Sequence, residues 1–132
     1  MAVNKAEYNK LVKAHIKKLA ELHKENITDE VSPLDYFVAS LQFLRDQLIL
    51  VAPLEVNGQD NPKITSLATA IQEYQAYTTC IHKYFNISGN TITPKGNKDK
   101  SILLAKFNEE KQFHWDTFWV IVKDNIEDWR LN

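Results

Sequence analysis

Residues 32–53 read SPLDYFVASLQFLRDQLILVAP, the longest stretch of the chain that cannot be left in water. Only Asp35, Arg45 and Asp46 carry charge within it. Leu34, Phe37, Val38, Leu41, Leu44, Leu48 and Val51 recur at steps of three and four, the period of one helical face, and Tyr36, Phe43 and Leu50 widen that face. Burying one such side chain is worth about 1.5 to 3 kcal/mol, so this segment is predicted to be the helix around which the core is built. Ser32 is placed to cap it, Pro33 to fit its first turn, Asp35 to face its positive end, Val31 to staple onto Tyr36, and Pro53 to stop it. With a charged pair in its middle and fewer than about 20 apolar residues in a row, it does not read as a membrane span.

Outward from this segment, every glycine and proline (Pro33, Pro53, Gly58, Pro62, Gly89, Pro94, Gly96) falls outside the periodic stretches and divides the chain into four helical pieces. The first runs from Asn4, with Glu7 completing a capping-box-like pair, to about Glu25. Tyr8, Leu11, Val12, His15, Ile16, Leu19, Leu22 and His23 form its inward stripe, and Lys10, Lys13, Lys17 and Lys24 its outward one. After two turn signals, Asn57-Gly58 and Asn61-Pro62, the third runs from Pro62 to about Phe85 with Asn61 or Asp60 as its cap. The stretch NISGNTITPKGNKDK, residues 86–100, is the only place where strands are expected, as a hairpin about Gly89-Asn90 or else a flexible loop.

The fourth helix is predicted from about Asp99 to Trp129, with Leu104, Phe107, Trp115, Phe118, Val122, Ile126 and Trp129 on one side. That projection sets Lys111 in the apolar face, which is costly for an ionised lysine, so either the helix breaks near Asn108 or the bundle is open there. The predicted fold is therefore all-α: an antiparallel four-helix bundle of up-down-up-down topology, one domain over residues 1–132, with the second helix most buried.

With 16 basic and 17 acidic residues, the chain offers no global charge to hold nucleic acid or an anionic membrane. The single Cys80 excludes an internal disulfide and a cysteine-based zinc cluster, and the N-terminal stretch MAVNKAEYNK lacks the apolar core of a signal peptide, so a cytoplasmic setting is expected. Richness in Asn, Lys and Ile suits an AT-rich coding sequence, as in a low-GC bacterium or a phage. No HExxH, CxxC, nucleophile elbow, dinucleotide fingerprint or Glu-x-x-His pair occurs, so neither catalysis nor a cofactor is predicted. His15, His114 and Glu110 form the best metal-ligand group that the bundle would assemble.

Two surfaces remain. The outer side of the third helix, Thr65, Thr69, Gln72, Ala76 and Thr79 with Cys80 and Lys83 at its end, is small, polar and nearly uncharged, and Phe113 and Val120 lie among acids on the back of the fourth. Depletion of charge marks a contact surface, so these residues are predicted to bind another protein or a second copy of the chain, as a small regulator, adaptor or subunit would. The alternative is a nucleic-acid-associated protein, using the lysines of the first helix and a basic end formed by Lys24, Lys83, Lys95, Lys98 and Lys100.

Overall fold

The computed structural model describes residues 4–26, 31–32, 34–88, 91–96 and 98–132. Among these, six helices and two two-stranded antiparallel sheets follow in the order ααββαββααα. Helix α1 (Lys5–Asn26) begins where Asn4 Oδ1 accepts the Glu7 N–H at 2.8 Å, the N-cap half of the predicted capping box, while the return bond to the Glu7 carboxylate, at 3.4 Å, comes from the Asn4 side-chain Nδ2 and not from its backbone N–H.

Helix α2 (Asp35–Val51) starts differently from expectation: its N-cap position is Leu34, with no side-chain cap bond. Ser32 is buried and its backbone N–H donates to Tyr77 Oη at 3.2 Å, while the Leu34 carbonyl accepts from the Tyr74 hydroxyl at 2.5 Å. Both tyrosines belong to α3 (Pro62–Tyr84), so tertiary contacts hold the first turn of α2. Pro33 lies outside the described residues. At the other end of α2, Asn61 accepts the Lys63 N–H at 3.0 Å as the cap of α3 and donates to the Pro53 carbonyl at 2.8 Å.

Between these helices β1 (Glu55–Val56) and β2 (Gln59–Asp60) pair across Asn57-Gly58, whose φ angles are 55° and 79°. Positive φ at both positions is the primed turn that Asn-Gly favours. The expectation of strands only in 86–100 is corrected here, because two-residue strands are too short to show an alternation. The second hairpin, β3 (Phe85–Ser88) with β4 (Thr91–Pro94), sets Ile87 opposite Ile92; its predicted turn, Gly89-Asn90, lies outside the described residues.

The fourth helix takes the first of the two alternatives that Lys111 poses, a break just beyond Asn108. Helix α4 (Lys100–Glu110), capped by Asp99 accepting the Ser101 N–H at 2.7 Å, gives way at residues 111–114 to non-helical chain, followed by α5 (Trp115–Asp124) and α6 (Ile126–Trp129). The molecule is mostly helical, but three short helices replace the fourth rod of the predicted bundle. Continuing α4 would have driven Lys111 into the core. Instead Lys111 ends it, with Nζ 5.3 Å from the Phe107 ring centroid, a cation–π position.

The break carries Phe113, Trp115 and Phe118 into an aromatic cluster with Phe37 of α2 and Tyr74 and Tyr77 of α3. Helix α2, with 17 residues, buries Phe37, Ser40, Leu41, Leu44 and Leu48, and the longer α3, with 23 residues, buries Leu67, Ala70, Ile71, Tyr74, Tyr77 and Ile81, so the two share the centre of the core. Tyr36, Phe43 and Leu50, predicted to extend the buried face of α2, are 43%, 41% and 55% exposed, because the neighbours of α2 cover a narrower arc than its apolar residues span. The C-terminus is clasped to both long helices. Trp129 Nε1 donates to Ser66 Oγ at 2.6 Å, and Asn9 bonds both the N–H and the carbonyl of Leu131 at 2.8 Å. Among the described residues no helix is long and apolar enough to cross a membrane.

Candidate interaction surface

Thr65, Thr69, Gln72, Ala76 and Thr79 are all exposed along α3. Thr65 Oγ1 donates to the Asn61 carbonyl at 3.2 Å, Thr69 Oγ1 to the Thr65 carbonyl at 3.0 Å and Thr79 Oγ1 to the Gln75 carbonyl at 2.9 Å. A threonine whose hydroxyl is spent on its own helix presents its methyl group outward. The face is accordingly less polar than its composition, with Gln72 as its long polar member.

Two clefts border it. The first, about 520 Å³, lies between Glu73, Ala76, Tyr77 and Cys80 of α3, the 111–114 segment, and Thr117, Phe118 and Ile121 of α5. The second, about 510 Å³, is lined by Leu54, Asp60 and Asn61 with Ile64, Thr65, Ala68, Thr69 and Gln72. Ala76 thus belongs to one cleft and Thr65, Thr69 and Gln72 to the other, so the face forms the ridge between them.

Phe113 requires correction. It is buried, stacked on Tyr77 with ring centroids 4.3 Å apart and packed against Phe118 at 4.9 Å. The single-helix projection that set it on the back face fails because the break at 111–114 resets the helical phase. It lines the first cleft from within the core instead of offering an exposed anchor. Val120 is exposed as predicted, and Ile121 beside it is also exposed. Sequence reasoning missed the cleft itself, for which the polar run before Phe113 was the available signal.

At the mouth of the first cleft, Lys83 Nζ meets both carboxylate oxygens of Glu110 at 3.0 Å, and the Tyr84 hydroxyl donates a short hydrogen bond to the same carboxylate. These bonds, Tyr84 first and Lys83 second, hold the Glu110 carboxyl below its ordinary range, and Glu110 in turn raises Lys83. Burial pushes the Cys80 thiol up, with the Glu110 charge adding to it, which is the reverse of thiolate activation.

Lys24, Lys83, Lys95, Lys98 and Lys100 are exposed, but Lys83 is committed to Glu110. The trio His15, His114 and Glu110 does not assemble. His15 Nδ1 makes a short bond with Ser40 Oγ and lies 3.4 Å from the Tyr36 hydroxyl, whereas Glu110 faces Lys83 and Tyr84. Among the described residues no group of three or more His, Cys, Asp or Glu side chains is placed to hold a metal ion. Comparison with known proteins gives no match to a family model, a curated protein or a solved structure.

Proposed function

We propose that this chain is a non-enzymatic protein-binding module whose contact surface is the outer face of α3 with the clefts on either side of it. The observation that carries this reading is the ridge of inward-bonded threonines between two clefts. Such a ridge has few hydrogen bonds to water to give up and little side-chain entropy to lose. The clefts would accept partner side chains on each side, and Tyr77, Phe113 and Phe118 give the first an aromatic lining. A specific complex buries about 800 Å² per partner, which a ridge of this length and its flanking clefts could provide.

The test uses the immobilised full chain to capture proteins from extracts of its source cells, with Ala76→Arg and Thr69→Glu alongside the wild type. Both positions are exposed, so both variants should keep the wild-type melting temperature. The expected result is one protein retained by the wild type and lost from both variants. Equal retention by all three, or nothing retained by the wild type, would remove the α3 face from consideration.

A further inference from the structure

A second surface lies on α2, away from the α3 ridge. Tyr36, Phe43 and Leu50 stand at intervals of seven in the sequence and remain 43%, 41% and 55% exposed. A seven-residue interval, close to two full turns, keeps side chains on one line of a helix. Such a line, with one aromatic at its centre and a large apolar residue at equal distance on each side, is complementary to itself when run antiparallel. We infer that a second copy of this chain covers it, in a two-fold dimer in which α2 packs on α2 with Phe43 at the axis.

The two-fold then sets Phe43 against Phe43 and Tyr36 against Leu50 at both ends, as an isologous contact requires. Charge permits the pairing. Asp46 lies about 4.5 Å along the helix from Phe43, so the two copies of Asp46 are about 9 Å apart along the axis, close to the screening length of about 8 Å at physiological salt. Each Asp46 falls at the level of Ser40 in the other chain. Helix α1 runs antiparallel beside α2, with Lys5 near Val51 at one end and His15 against Ser40 and Phe43 further along. Lys18, exposed and about one turn beyond His15, therefore lies toward the Tyr36 end, where the pairing brings Leu50 and Asp46 of the second copy.

The available area sets the strength. Helix α2 has 17 residues and is about 25 Å long, so its outer strip with the adjoining edge of α1 offers roughly 500 Å² per chain. At about 1,000 Å² for the two chains together, that falls below stable specific interfaces and among weak, transient ones, so the dimer is expected to form reversibly rather than to be obligate.

Sedimentation equilibrium of the full chain from about 1 to 200 μM should show the mass rising from 15.3 kDa toward twice that value. Leu50→Lys should stay monomeric throughout with an unchanged circular dichroism melt, as should Phe43→Arg if it remains folded. In a Cys80→Ser background, Phe43→Cys should cross-link to itself under mild oxidation. Tyr36→Cys mixed with Leu50→Cys should cross-link more than either variant alone. A wild type monomeric at 200 μM, a dimer that survives Leu50→Lys, or a cross-linking pattern in which Tyr36→Cys pairs best with itself would each overturn the inference.

Discussion

Glu110 shows how one exposed carboxylate can report on tertiary structure. Its carboxyl is held below the ordinary range by Tyr84 and Lys83, which bring the end of α3 to the end of α4. A lowered folded pKa means that the contribution is complete above the unfolded value, about 4.3 for a glutamate. It declines as the pH falls from there through the folded value. Lys83, raised by the same contact, contributes below its ordinary value of about 10.4 and loses that contribution as the pH rises through its folded value. Glu110→Gln should therefore be less stable than the wild type near neutrality, with the gap closing in acid. Urea midpoints for both proteins between about pH 3 and 7 check this, and a gap that stays constant across that range would show that the clamp is not electrostatic. The effect is small, since the groups are exposed and screened.

At the scale of elements, residues 111–114 decide which aromatic residues form the core. An unbroken helix would have left Phe113 outside; the break places it against Tyr77 and Phe118. Phe113→Ala should consequently cost about 3 to 5 kcal/mol as a large-to-small core change, whereas a surface phenylalanine would cost far less. Denaturant melts distinguish the two, and a loss under about 1 kcal/mol would return Phe113 to the surface. Three helix starts behave as their caps dictate: Asn4, Asn61 and Asp99 each accept an N–H from the first turn they precede. Helices α2, α5 and α6 start without a side-chain cap bond, and the tyrosines of α3 instead anchor the chain that enters α2.

For the whole molecule the charges nearly cancel, so long-range attraction to a polyanion is weak. Binding to mixed DNA or RNA at physiological salt should be no tighter than about 10 μM, the range of non-specific phosphate contact. Filter binding across a salt series checks this. Tight, steeply salt-dependent binding that disappears when Lys95, Lys98 and Lys100 are neutralised would instead establish the basic end as the functional surface. The lysines of that end are exposed, yet Lys83 already shares its charge with Glu110.

The sequence by itself determined the helical class, the extents and N-caps of α1 and α3, the second hairpin as one of two alternatives, and the exposure of Thr65, Thr69, Gln72, Ala76 and Thr79. These follow from local periodicity and from capping chemistry that acts over a single turn. Only the tertiary structure decided the rest, because each remaining question depended on distant parts of the chain. The phase of α5 depends on a break whose position reflects the cost of burying Lys111. The width of the α2 face that is buried depends on how much of it α1 and α3 can cover, which leaves Tyr36, Phe43 and Leu50 to solvent. The first cleft depends on both, since it exists only where the chain leaves α4 and returns to α3.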